Sequence, residues 1–302
     1  MNVGHFPPPK RNGLIVHGIV ILVLTVIAVA GFINLTRVDI GATFLTSLLV
    51  GLASFTPIPF FVYRTYSLWR ADYHLDRDSL AIKWGLRVED IPLTDIEFIR
   101  SVDDLSIPLK LPSLPLPGGL IGMRRHPDLG VVEFLASDAK NLLLVATAKR
   151  VFVISPANPA GLTQTFARAT EMGSLTLAES KSVYPSFVVT QAWSIGLARY
   201  LWLTTLFLNL GLFVWASLII PSTPRVAFGP QIVGSALETV PSSQLIILPV
   251  ASLLLSVTGW VAGLYFYRWE KERALAFIVW GSSMLMSLLF LIAVLFIVTT
   301  PV

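Results

Sequence analysis

The stretch YHLDRDSLAIKWGLRVEDIPLTDIEFI, residues 73–99, alternates apolar and polar side chains inside a chain that is otherwise strongly apolar. Leu80, Ile82 and Trp84 fall on one side of an extended backbone, while Ala81 and Lys83 fall on the other. This period of two predicts short strands with one buried face. The segment DRDS and the glycine after Trp84 predict the turns between them. We therefore expect an antiparallel meander inserted between apolar segments.

The composition of the whole chain places it in the membrane class. Of its 302 residues, 54% are hydrophobic and 13% are charged, and the mean hydropathy is +0.73. Soluble domains are about one-quarter charged. The formal net charge of +4 is small, and we interpret it as cytoplasmic anchoring charge rather than a nucleic-acid-binding surface. The chain has no cysteine, which excludes disulfides, thiolate metal sites and cysteine nucleophiles.

Five apolar runs reach the roughly 20 residues that a helix needs to cross a bilayer. They are residues 13–35, 42–63, 197–220, 245–267 and 274–299. Pro57 and Pro59 interrupt the second run and predict a kinked or frayed end. Lys10 and Arg11 precede the first run as in a secretory signal, but its length and the closely following second run predict an uncleaved anchor. Asn209, in the third run, is expected to bond a neighbouring helix.

Lysine and arginine residues near the ends of these runs predict the orientation. Basic clusters lie in the tail 1–12, between the second and third runs, and between the fourth and fifth runs. Because such clusters favour the cytoplasm, we expect the N-terminus and residues 64–196 to be cytoplasmic. The loop 221–243 and the C-terminus are then expected to be extracytoplasmic.

A second group of predicted strands, followed by one predicted helix, comes after the quoted stretch. The strands are GVVEFLAS (130–137), NLLLVATA (141–148) and RVFVIS (150–155), joined as hairpins by SDAKN and TAKR. Asn158 suits the N-cap of a helix, Pro159 its first position and Gly173 its end. Leu162 and Phe166 share one helix face. We expect residues 66–174 to form a domain of antiparallel strands, with this helix face covering the open end of its core. An interfacial linker is expected over residues 175–196.

These motifs resemble bacterial pleckstrin-homology (PH)-like domains. The family pattern of an aromatic residue and leucine, a turn, a Leu-x-Ile strand, a glycine and an IPL.DI segment corresponds here to YHLDRDSLAIKWGLRVEDIPLTDI. The family's ISP segment before the helix corresponds to VFVISPANPAGL. The resemblance covers residues 70–173. It implies seven strands plus a helix, a role in binding or assembly, and a bacterial plasma membrane location. The predicted fold class is a five-span α-helical membrane protein with an inserted β-rich PH-like domain.

Sequence signatures of catalysis are missing. The apolar runs carry no Asp, Glu, Lys or Arg away from their ends, where proton and ion relays need them. Asp103 and Asp104 are read as a solvated turn. The histidines match no HExxH spacing. They are His5, His17, His74 and His126. We therefore expect no enzyme, no cofactor and no metal site.

Two parts of the predicted domain are candidate binding surfaces. The first is basic and would form an anion or partner site if its members meet at one end of the domain. Its members are Arg124, Arg125, His126, Lys149 and Arg150. Ordinary solvated turns are the alternative reading. The second is the proline-rich loop 105–122, whose leucines either touch the membrane or a partner, or pack over the sheet. They are Leu109, Leu111, Leu114 and Leu116.

The sequence favours a non-catalytic, membrane-anchored adaptor or sensor. Its PH-like domain would bind a protein partner, a second copy of the chain, or an anionic lipid headgroup. Its partners are therefore the lipid bilayer and another membrane or cytoplasmic protein or a homo-oligomer, and no nucleic acid. The alternative is a transport or channel subunit with a path among the third to fifth spans. An intramembrane enzyme is a third class.

Overall fold

The computed structural model describes residues 4–112, 116, 118–148, 150–172, 181–183, 188–227 and 239–299. The chain divides into two compact units. The first unit comprises residues 1–26 and 54–185, and the second unit comprises residues 27–53 and 186–302. The α-helices of the described residues are α1 (Arg11–Leu35), α2 (Ala42–Phe55), α3 (Ile58–Trp69), α4 (Pro159–Met172), α5 (Val188–Ser194), α6 (Gly196–Ile219), α7 (Ile247–Tyr267) and α8 (Arg273–Thr299).

The strands form three sheets. They are β1 (Gly4–His5), β2 (Asp72–Leu75), β3 (Ser79–Trp84), β4 (Arg87–Pro92), β5 (Ile96–Ser101), β6 (Leu120–His126), β7 (Gly130–Ala136), β8 (Leu143–Thr147), β9 (Val151–Ile154), β10 (Lys181–Val183), β11 (Arg225–Ala227) and β12 (Thr239–Pro241). In the first unit, sheet A has the order β1-β2-β3-β4-β10 and sheet B has the order β5-β8-β9-β7-β6. β11 and β12 form a two-stranded sheet in the second unit.

Among the described residues, five helical segments are long and apolar enough to cross a membrane. They are Arg11–Leu35, Ala42–Trp69, Gly196–Ser222, Ser242–Tyr267 and Glu270–Thr299. The second segment is broken between Phe55 and Ile58, where Pro57 precedes the new helix, as the two prolines predict. It continues to Trp69, past the predicted end at 63, and includes the buried Arg64.

The quoted stretch forms the predicted meander, with β2, β3 and β4 paired antiparallel. The predicted TAKR hairpin is also present, since β8 and β9 pair antiparallel. The predicted SDAKN hairpin is wrong. β9 lies between β8 and β7 and pairs with β7 in parallel. All four residues of β9 are buried, so burial favours a central position for this strand over an edge.

The centre of sheet B is covered on both faces, which explains why β8 and β9 are apolar without alternation. Phe152 and Ile154 join one hydrophobic cluster with residues of sheet A, whereas Val151 and Val153 join a second cluster. Between residues 72 and 154 the described residues hold eight strands, one more than the resemblance implies.

Helix α4 begins as predicted. The side-chain Oδ1 of Asn158 accepts a hydrogen bond from the backbone N–H of Gly161 at 2.9 Å, which is an N-cap bond. Leu162 is fully buried in the cluster shared by the two sheets, and Phe166 packs against that cluster. The predicted end at Gly173 lies outside the described residues.

Candidate functional site

A buried group of charged side chains lies between sheets A and B. Arg87 on β4 donates to Glu89 from Nε at 2.9 Å and to the two oxygens of Glu133 on β7 at 2.5 and 2.8 Å. Arg150 also donates to Glu133, at 3.3 Å, and the hydroxyl of Ser182 donates to Glu89 at 2.7 Å. The side chains of Arg87, Glu89 and Glu133 are only 7%, 5% and 3% exposed. We call the five bonded residues the charge network: Arg87, Glu89, Glu133, Arg150 and Ser182.

The charge network keeps Arg87 ionised despite its burial. Burial alone would lower the pKa of Arg87, but the hydrogen bonds and charges of Glu133 and Glu89 outweigh that effect and raise it. Two-point bonding to a planar guanidinium is geometrically specific and charge-assisted. The network therefore fixes β4 of sheet A against β7 of sheet B.

A polar cavity of about 580 Å³ opens beside the charge network. Four carboxylates and two cationic side chains contribute to its wall. Its charged lining residues are Glu89, Asp90, Asp95, Glu97, Arg150 and Lys181. Glu89 and Arg150 are engaged by the network, so Asp90, Asp95 and Glu97 face a single remaining cation in the described lining. The cavity is therefore acidic.

Asp90 contributes a hydrogen-bond acceptor to the wall of the cavity. Its Oδ1 atom is buried and has no hydrogen-bond partner within the described part of the chain. Buried polar atoms are satisfied in the great majority of cases, so such an atom points to a ligand donor or an ordered water. A cationic or N–H-bearing ligand suits this wall better than an anion does.

Strand β10 shapes the same site by pairing with the edge of β4. Lys181 lies opposite Asp90, and Ser182 lies opposite Glu89. Adding a short extended segment to a sheet edge is a recurrent way in which domains bind peptides. Here the chain supplies that segment itself.

Residues 71–170 match the family model described as Bacterial PH domain. The match confirms the resemblance that the sequence motifs indicated, and we call residues 71–170 the PH domain. The match covers about a third of the chain and includes the charge network except Ser182. Searches of the curated proteins and of the solved structures found no match.

The PH domain does not bring all the predicted basic residues onto one face. Arg124 and Arg125 are neighbours on β6, so their side chains point to opposite faces of sheet B. His126 is buried, and its Nε2 lies 3.2 Å from the Ile107 carbonyl. Arg150 belongs to the charge network. Lys149 lies outside the described residues. The basic surface therefore remains a prediction, with Arg125 as its exposed member and Arg124 partly buried.

The leucine loop of the PH domain packs in its described part. Leu109 and Leu111 pack against the second hydrophobic cluster, on the face of sheet B that α4 does not cover. Leu116 is partly buried and forms a single bridge with Gly119. Leu114 lies outside the described residues. This part of the loop serves as a cover for the sheet, which was the alternative that the sequence left open.

The second unit holds a polar cluster that bears on the transport alternative. Asn209 on α6 donates to Ser256 at 3.0 Å and to Ser287 at 2.9 Å, and it accepts from Ser252 at 2.9 Å. These bonds link α6 to α7 and α8, as predicted for Asn209. A cavity of about 260 Å³ beside them is lined mainly by apolar and tryptophan side chains. The cluster satisfies its own polar groups, which is typical of helix packing in membranes.

Sequence reasoning missed the charge network and the acidic cavity. Two features of the sequence could have indicated the network. Arg87 and Glu89 occupy the same face of β4, and Glu133 is a charged residue within the apolar strand GVVEFLA. The pairing of β9 with β7 places Arg150 near Glu133, and that pairing was not predicted.

Proposed function

We propose that this chain is a non-catalytic, membrane-anchored adaptor whose PH domain binds a protein partner through the acidic cavity. The five apolar segments would anchor it in the bacterial plasma membrane, with the N-terminus and the PH domain in the cytoplasm. Helix α4 would close the open end of the domain through Leu162 and Phe166. The observation that carries the proposal is the cavity lined by Asp90, Asp95 and Glu97 beside a sheet edge.

The charge of the cavity selects among the three ligands that the sequence allowed. Four lining carboxylates against two cations disfavour an anionic headgroup in the cavity. The buried and unpartnered Oδ1 of Asp90, judged over the described residues, favours a ligand with N–H or ammonium donors. A lysine- or arginine-containing protein segment has the positive charge and the N–H donors that this lining favours, and it would meet the sheet at β10, which occupies the edge beside β4.

A photocrosslinking experiment in native membranes tests the proposal. A photoreactive amino acid is placed at Thr94, which lines the cavity, or at Met123, an exposed position on β6. The full chain is irradiated, purified and analysed by mass spectrometry. We expect Thr94 to capture one protein through a basic segment, and Met123 to capture it weakly or not at all.

Two charge-reversal variants locate the docking surface. Asp95→Lys with Glu97→Lys should abolish capture at Thr94, whereas Arg124→Glu with Arg125→Glu should leave it unchanged. Arg150 is left intact in both variants, because its loss would also disturb Glu133 in the charge network. Loss of capture only in the arginine variant would move the partner to the basic surface. Capture of lipid alone, or of nothing, at both positions would overturn the proposal.

A further inference from the structure

Two histidines and an aspartate that lie far apart in the sequence meet at the edge of sheet A opposite to the acidic cavity. β1 pairs antiparallel with β2, and His5 lies directly opposite His74. Asp72 precedes His74 by two residues on the same strand, so both side chains point to the same face. The three side chains therefore share one exposed surface, with His5 the most accessible.

The separations of the potential ligand atoms are compatible with a shared metal ion. The Nδ1 atom of His5 lies 3.1 Å from Oδ2 of Asp72 and 3.4 Å from Nδ1 of His74. One potential ligand atom from each side chain lies within 4.8 Å of the others. Two zinc–ligand bonds of about 2.0–2.1 Å at a tetrahedral angle separate their ligand atoms by about 3.3 Å. The separations of 3.1 and 3.4 Å lie on either side of that value.

We propose that His5, Asp72 and His74 bind a divalent transition-metal ion, with zinc the best fit. Two imidazole nitrogens and one carboxylate oxygen form a ligand set that zinc uses, and imidazole disfavours magnesium and calcium. Three protein ligands leave a fourth position for water. The cross-strand register already brings the three potential ligand atoms within 4.8 Å of one another.

Lys10 does not block this site. Its ammonium donates to the backbone carbonyl of Trp69 at 2.9 Å, and it interacts with Asp72 only electrostatically. The Oδ2 atom of Asp72 is directed to His5 instead. The carboxylate is thus available as a ligand in the arrangement that the structure shows.

Metal binding would fasten the N-terminal segment to the PH domain. β1 has only two residues, and beyond it the N–H of Phe6 bonds the Tyr73 carbonyl at 2.8 Å. A strand of two residues contributes few backbone hydrogen bonds of its own, so a further link at His5 would add to its attachment. A metal bridging His5 to Asp72 and His74 would hold β1 in place just before α1 begins at Arg11. This role is independent of the acidic cavity.

The test is metal binding by the full chain, purified in detergent without a histidine tag. Zinc is titrated calorimetrically at neutral pH, and Co²⁺ serves as the spectroscopic probe, because tetrahedral Co²⁺ absorbs visible light strongly. We expect one zinc per chain, a tetrahedral Co²⁺ spectrum, and slower amide exchange at residues 4–6 when zinc is bound. His5→Gln, His74→Gln and Asp72→Asn should each weaken binding at least tenfold.

Matched substitutions separate this site from incidental binding. Asp76→Asn alters an exposed aspartate in the next turn, and His126→Gln alters a histidine on another sheet; both should bind zinc as the wild type does. Circular dichroism confirms that each variant is folded. The proposal is overturned if the wild type binds no stoichiometric zinc, or if the three ligand variants bind it as tightly as the two controls. Each ligand is tested separately, so the misfolding of one variant leaves the other two decisive.

Discussion

Glu133→Gln is expected to destabilise the PH domain far more than an isosteric change elsewhere on its sheets. Glu133 accepts two hydrogen bonds from Arg87 and one from Arg150 while only 3% exposed. The glutamine keeps one acceptor oxygen but removes the charge, so Arg87 is left buried against Glu89 alone. Breaking one partner of a buried ion pair costs about 3–5 kcal/mol. Because the glutamine retains an acceptor oxygen, we expect the free energy of unfolding to fall by about 3 kcal/mol, at the lower end of that range.

Hydrogen exchange followed by mass spectrometry measures this cost in the full chain. At about 1.4 kcal/mol per tenfold change, a loss of 3 kcal/mol lowers protection factors by roughly 150-fold. The decrease should appear in peptides covering β3, β4 and β7, whose slowest amides report the opening of the domain. Peptides from α6 and α8 in the second unit provide an internal reference.

Glu97→Gln is the matched control, because Glu97 is an exposed carboxylate on β5 and should change protection by less than threefold. A second variant replaces Arg87, Glu89 and Glu133 together by Met, Leu and Leu. Replacing a whole buried ionic group by apolar side chains is often neutral or stabilising. We expect this triple variant to be more protected than Glu133→Gln. Equal protection of Glu133→Gln and Glu97→Gln would refute the reasoning.

Three further predictions concern other parts of the chain. Gly13→Ala should destabilise the first unit by about 1–3 kcal/mol, because the added methyl group would overlap the backbone of Gly118 in the loop before β6. Gly18→Ala is the control: the added methyl group meets open space, so thermal unfolding should show no loss of stability or a small gain. Asn209→Ala should lower the free energy of unfolding in detergent by about 2 kcal/mol, because three interhelical hydrogen bonds of about 0.6 kcal/mol each are lost. Ser282→Ala, at an exposed position, is the control and should leave this free energy unchanged. Burial raises the pKa of Tyr73. In the folded chain its hydroxyl therefore stays protonated at pH values at which the hydroxyl of the unfolded chain ionises. The wild-type advantage over Tyr73→Phe in unfolding free energy should therefore be full below about pH 10 and shrink above it.

The elements that the sequence predicted are those in which local pattern and tertiary burial agree. Leu80, Ile82 and Trp84 alternate with polar residues, and all three are buried in the structure. The N-cap at Asn158 depends only on its neighbours, and it too was predicted correctly. The proline break in the second span follows from the missing N–H of Pro57 and needs no tertiary information.

The strand order of sheet B could not be predicted, because β8 and β9 are apolar on both faces and β7 is so apart from Glu133. A strand without alternation carries no register signal. The chain offers a short loop between β7 and β8, and the local signal favours pairing them. The structure instead places β9 between them, where Val153 lies opposite Phe134 on one side and Leu144 on the other.

The histidine cluster shows the same limit at a candidate site. His5 and His74 are 69 residues apart, and no spacing rule connects them. Only the pairing of β1 with β2 brings their rings to a centroid distance of 4.4 Å. The charge network likewise joins Arg87 to Glu133 across 46 residues and two sheets. Sites built from cross-strand neighbours become visible only once the strand register is known.

Both edges of sheet A are covered by strands from outside the segment that matches the PH family. β1 covers one edge and precedes α1, and β10 covers the other edge and precedes α5. Exposed sheet edges invite pairing with other chains, so covering them protects the domain. Strands of two and three residues contribute few backbone hydrogen bonds, so a partner or a metal that binds at either edge would add to the attachment of these strands. The two proposals thus concern opposite edges of one sheet: a zinc ion would fasten β1, whereas a protein segment at the acidic cavity would meet β10.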